Sequence, residues 1–122
     1  MHQRDVDPAI ICRKHLIAEH AEIHMFVGTI EVKKQLDGYA TGNCLDISKL
    51  KHRHDVLAAE MLKRNYQHYS PLPQGRINEL DLSYLPEWVV ETTIDADVSL
   101  FQLLNCKECC ELYYLKENSN ER

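Results

Sequence analysis

The chain lacks any long apolar run, since no uninterrupted stretch of apolar residues reaches even 10 of its 122 positions. A membrane-spanning helix needs about 20 apolar residues, and the start of the chain is polar where an export signal would be apolar. Neither a membrane span nor a signal peptide is expected, and the reading is of a soluble, cytoplasmic protein. The five cysteines are an odd number, and without an export signal they point to reduced thiols in place of a disulfide framework. Internal repeats and low-complexity tracts are also missing.

Positive charge is in short supply. Lys and Arg number 14 against 19 Asp and Glu, a formal charge of -5. The deficit is unevenly placed: residues 1–76 hold 11 Lys and Arg against 9 Asp and Glu, whereas residues 77–122 hold 3 against 10. All seven histidines lie within the first 68 residues. A polyanionic partner would therefore have to meet the N-terminal part, without the strong basic field common in nucleic-acid binders. Charge alone does not point to DNA.

What is present is helical periodicity. A chain of this length fits one compact domain spanning 1–122, with a core that needs no disulfide or metal. Asp7 followed by Pro8 reads as a helix start, and Gly38 as its end, so a first helix is expected over 8–36. Cys12, Leu16, Ile23, Phe26, Val27 and Ile30 form its apolar stripe, and Glu19 falls inside that stripe where a leucine would be expected. His15, Glu19, Glu22 and Phe26 follow one another at steps of four, three and four, along the stripe's border. Either Glu19 keeps its head in water at the edge, or the column is part of a functional site.

A second helix is expected from Asp46 or Ser48 to about residue 65, with Leu50, Leu57 and Met61 as its apolar stripe and His54 between them. Residues 66–75, rich in proline and glycine, read as a connection able to carry His68 back over the site. Pro86 suits the first turn of a short helix. Asp95 or Asp97 should cap a third helix containing Leu100, Leu103 and Leu104 and reaching about residue 115. Residues 117–122 are expected to fray.

Two clusters raise the question of metal. Cys106, Cys109 and Cys110 form a C-x-x-C-C pattern that would need a fourth zinc ligand, such as Cys44 or a histidine, and buried reduced thiols or redox chemistry are the competing readings. His20 and His24 stand four apart and would need Glu19 or His54 to hold an ion, without the H-E-x-x-H arrangement that marks metalloproteases. No metal or other cofactor is expected.

The run RKHLIAEHAE at 13–22, followed by RHDVLAAEMLKRNYQHYSPL at 53–72, resembles the pyrimidine-dimer DNA glycosylase family, the group of phage endonuclease V. The run DVSLFQLLNCKEC at 97–109 is similar to the C-terminal helix of its cellular members. The resemblance implies an all-α, endonuclease V-like domain of three main helices with the N-terminus threaded between them. It also implies that the chain's α-amino group attacks C1′ of a damaged nucleotide, displaces the base and leaves a Schiff base from which β-elimination cuts the strand. A free α-amino group titrates at about 7.7–8, so a useful fraction is neutral at physiological pH.

On this pattern the essential glutamate is Glu22, with Met1 supplying the amine and His15 and His54 completing the catalytic set. Met1 is expected to stay in place because His2 is too large for its usual removal. Lys14, Arg53, Lys63 and Arg64, with His20, His24 and His68, would contact damaged or abasic DNA. Ala21 and Met25 stand where the phage pattern carries arginines. A non-catalytic DNA- or protein-binding member of the same fold, and a metal-dependent hydrolase built on the His and Glu cluster, are the alternatives, and the oligomeric state is left open.

Overall fold

Burial of one strip along each of two helices builds the core. In a computed structural model, which describes residues 1–68 and 70–120, α1 (Arg13–Glu31) packs against α3 (Leu50–Lys63). Leu16, Ile23, Phe26, Val27 and Ile30 from the first meet a core that includes Leu50, Leu57 and Met61 from the second. Of the short helices α2 (Asp37–Thr41), α4 (Gln74–Asn78) and α5 (Glu87–Glu91), α2 adds Ala40 and α5 adds Val89 to this core. α6 (Ala96–Leu103) and α7 (Lys107–Asn120) complete an all-α fold. Among the described residues no helix is long and apolar enough to cross a membrane.

The expected first helix is broken at both ends. Asp7 does cap a helical start, accepting from the Ala9 amide at 2.9 Å, but Pro8–Ile10 is only a 3-10 turn. Ile11 then takes an extended conformation with its side chain fully buried. The helix restarts with Cys12 as its cap, the thiol accepting from the His15 amide at 3.5 Å. Cysteine is not among the usual capping residues, so the restart is invisible to a search for Ser, Thr, Asp or Asn.

At the other end α1 stops well before Gly38. Lys33 adopts φ 57° and the Lys34 amide bonds back to the Thr29 carbonyl at 3.1 Å. That is a Schellman closure with lysine in the left-handed position that glycine normally takes. Gly38 instead sits inside α2.

The second helix comes close to its expected span, with a 3-10 turn at Ile47–Lys49 leading into α3. The third does not run through: α6, capped by Asp95 through bonds from the amides of Asp97 and Val98, ends at Leu103, and α7 begins afresh at Lys107. Pro86 precedes α5 as its cap. The tail expected to fray is helical through Asn120, and residues 121 and 122 lie outside the described residues.

Candidate functional site

The N-terminal segment lies against the buried side of α1. The Gln3 amide donates to the Cys44 carbonyl at 2.8 Å. Its side chain donates to the Asp46 carbonyl at 3.0 Å and accepts from the Asp46 amide at 2.8 Å. Gln3 is fully buried, so this two-way pairing satisfies an amide that would otherwise be costly to enclose. It also sets the register of the chain's first residues against α1.

With Gln3 held, its neighbours meet the two glutamates of the column. The His2 amide donates to Glu22 Oε2 at 3.2 Å, and the Arg4 amide donates to Glu19 Oε2 at 2.9 Å. Glu19 is 1% exposed and is gripped by Arg53 in a two-pronged pair, Nε to Oε2 at 2.6 Å and Nη2 to Oε1 at 3.0 Å. The third guanidinium nitrogen donates to the Val6 carbonyl at 2.7 Å. The solvated-edge reading of Glu19 is thus overturned. Arg53, expected at a DNA surface, is buried and committed to Glu19 and Val6.

Beside His2, which bonds Glu22, lies Cys44, whose thiol feels the charges of the N-terminal ammonium of the partly buried Met1, of Arg4 and of Glu22. Burial, then Arg4, then the N-terminal ammonium hold the His2 imidazole down at about 4. Its Nδ1 faces the Cys44 thiol at 3.7 Å, while Nε2 finds no partner among the described residues. Burial pushes the Cys44 thiol above its ordinary value. Arg4 Nη1 is likewise buried without a partner. An amine, a carboxylate and a guanidinium nitrogen with spare donor capacity therefore share one corner of the molecule.

His20 stands two positions from Glu22 on α1, which at 3.6 residues per turn places it about 160° round the helix. There it meets His54 of α3, 2% exposed, and His68 of the following connection. His20 Nε2 lies 3.1 Å from His54 Nε2 and 2.8 Å from His68 Nε2. His54 Nδ1 faces Asp55 Oδ1 at 2.9 Å, and the Ser70 carbonyl lies 3.0 Å from Nε2 of both His54 and His24. Burial first, then the neighbouring imidazoles, hold His20 at about 4, so it stays neutral. One ring nitrogen from each of the three lies within 4.8 Å of the other two, close enough to hold a divalent cation between them. His54 is thereby brought to the other histidines and not to Glu22.

The remaining candidates are scattered. His15 turns Nδ1 toward Cys12 Sγ at 3.0 Å, and burial lowers its pKa, helped by Arg4 and Lys14. Lys14 and Lys63 are exposed. Arg64 is half-buried, bonding Glu60 at 2.8 Å and the Pro8 carbonyl at 3.0 Å. Sequence reasoning missed His2, Gln3 and Arg4, because the N-terminal segment has no periodicity and its partners lie 15 to 43 positions away.

Among curated proteins and among solved structures, none gives a match. The sequence pattern of a family described as pyrimidine dimer DNA glycosylase matches residues 1–74, which carry the N-terminal segment, α1, α3 and every residue of the amine–carboxylate corner. That match covers more than half of the chain, and the protein belongs to the pyrimidine dimer DNA glycosylase family.

Proposed function

We propose that the protein is a DNA N-glycosylase with AP lyase activity on damaged pyrimidines, in which the α-amino group at Met1 is the nucleophile and Glu22 the acid and base. The observation that carries this reading is the 3.2 Å bond from the His2 amide to Glu22. It holds the carboxylate one residue from the chain's amine.

In the proposed reaction the neutral amine attacks C1′. A C1′–N bond forms as the bond to the base breaks, and the base leaves with the electron pair and a proton. Glu22 stabilises the positive charge that develops at the sugar. It then carries protons as O4′ departs from C1′ and the Schiff base forms. Removal of a C2′ proton expels the 3′ phosphate and cuts the strand. The unpartnered Arg4 Nη1 supplies a donor for a phosphate oxygen, and exposed Lys14 and Lys63 supply charge for the backbone. A target base in a duplex must leave the stack to be reached.

Borohydride trapping on ultraviolet-irradiated and abasic oligonucleotides tests this. A covalent adduct that vanishes when the α-amino group is blocked is expected. Absence of an adduct on every lesion would leave a non-catalytic DNA- or protein-binding role.

A second reading, a metal-dependent hydrolase, is favoured by the His20, His54 and His68 cluster. If His54 Nδ1–H donates to Asp55, its Nε2 carries a lone pair facing His20 and the Ser70 carbonyl, and a cation resolves that conflict. Phosphodiester cleavage abolished by chelator and by His54→Ala, with no trapped adduct, is the outcome this reading requires.

A further inference from the structure

Cys12 and His15 open α1, and Cys106 and Cys109 lie at the start of α7. One ligand atom from each falls within 4.8 Å of all the others. Cys12 Sγ lies 3.9 Å from Cys106 Sγ, and His15 Nδ1 lies 3.7 Å from Cys109 Sγ and 3.0 Å from Cys12 Sγ. With zinc bonds of about 2.3 Å to sulfur and about 2.0 Å to nitrogen, a tetrahedron has S···S edges of about 3.8 Å and S···N edges of about 3.5 Å. Two of the three separations already match those edges. The remaining one has only to open by about half an ångström, within reach of a side-chain adjustment.

The sequence has the matching form: Cys-x-x-His in one place and Cys-x-x-Cys in the other, two pairs of ligands each three positions apart. Of the expected cluster of Cys106, Cys109 and Cys110, the first two lie in this group. Cys110 and Cys44 take no part, and the second pair comes from the far end of the chain. The Cys12 amide also donates to Cys109 Sγ at 3.2 Å, the kind of outer hydrogen bond that orients a metal ligand.

We propose that Cys12, His15, Cys106 and Cys109 bind a zinc ion that pins α7 to the start of α1. Three thiolates and one imidazole are the donor set zinc prefers, and four protein ligands close the coordination shell, which makes the site structural and not catalytic. α7 has reason to need such an anchor. Among its residues 107–119, Cys109 alone is buried, and a 14-residue helix with so little packed surface is marginal by itself. An ion pair from Lys116 to Asp7 is exposed and adds little. Both α7 ligands lie beyond residue 74, so the ion joins the part of the chain that matches the family to the part that does not. His15 becomes a ligand through Nδ1.

The test uses the full chain, purified reduced and without chelator. Elemental analysis should find zinc, with one equivalent lost in Cys106→Ser and none in Cys110→Ser. Exchange with cobalt(II) should give a thiolate-to-metal charge-transfer band, which an ion held only by His20, His54 and His68 does not produce. His15→Ala should weaken binding by more than about 100-fold, beyond the loss typical of an outer-sphere partner, whereas His15→Cys should retain the ion. If Cys106→Ser fails to fold, chelation of the wild-type protein serves instead: Cys12, Cys106 and Cys109 should become reactive to a thiol reagent, and α7 should lose protection from amide exchange. A folded wild-type protein with neither zinc nor the cobalt band overturns the proposal, as does iron with sulfide in its place, or His15→Ala binding as tightly as wild type.

Discussion

Arg53 holds Glu19 through two parallel hydrogen bonds, at 2.6 and 3.0 Å, with both side chains almost wholly out of solvent. The same carboxylate accepts from the Arg4 amide, so one buried ion pair ties α1, α3 and the N-terminal segment together. Removing one partner strands a buried charge, which costs about 3–5 kcal/mol. Arg53→Ala and Glu19→Gln should each lower stability on that scale, read as the shift in urea midpoint at constant m. Arg53→Lys should also destabilise, because an ammonium cannot reproduce the two-pronged geometry. An unchanged midpoint in all three would mean that the pair does not hold these elements together.

Glu22 offers a contrast, because its carboxylate accepts from the partly buried His2 amide and, among the described residues, pairs with no cation. Glu22→Gln keeps a side-chain oxygen to accept that bond and should leave the urea midpoint within about 1 kcal/mol of wild type. Strand cleavage should fall by about 10²–10⁴-fold, the range of a lost general acid or base. Single-turnover cleavage of an abasic oligonucleotide reads this directly, and undiminished cleavage would remove Glu22 from the mechanism.

His2 should make stability depend on pH. Its imidazole is held at about 4 in the fold by burial, Arg4 and the N-terminal ammonium, with the Cys44 thiol also facing it, against 6.5 when unfolded. Between those values the unfolded chain binds the extra proton, so stability rises with pH there. The contribution is complete above 6.5 and is lost as pH falls toward 4. His2→Asn should reduce this slope in urea midpoints measured across that window, leaving the part that His20, also held at about 4, contributes. A variant as pH-sensitive as wild type would contradict the assignment.

Lys33 occupies the left-handed position that ends α1. A side chain there costs roughly 1–2 kcal/mol, partly offset by the greater freedom of glycine in the unfolded chain. Lys33→Gly should therefore raise stability by up to about 1 kcal/mol, while Lys33→Val should lower it. Thermal midpoints of the two variants, moving in opposite directions, would establish the strain.

The local pattern of the sequence was enough for the α1 and α3 stripes and for the inward position of His54, whereas the all-α class came with the family resemblance and Glu19 stayed open between a solvated edge and a buried site. The stripes and His54 follow from which residues lie three or four positions apart, and that is a property of a helix by itself. The column of His15, Glu19 and Glu22 was legible for the same reason. Its partition was not: Glu19 went to Arg53, Glu22 to the N-terminal segment and His15 to the cysteines.

Only the tertiary structure decided those pairings, because apart from the local contact of His15 with Cys12 they join positions from 15 to 94 residues apart, and periodicity carries no information about what a helix face will meet. The ends of α1 escaped the sequence for a related reason. A cysteine cap and a left-handed lysine are unfavourable locally, and the surrounding packing holds both in place. Cys12 and His15 looked like one end of a helix until folding set them against Cys106 and Cys109. Chain composition supplied the chemistry of each group, and packing alone chose its partner.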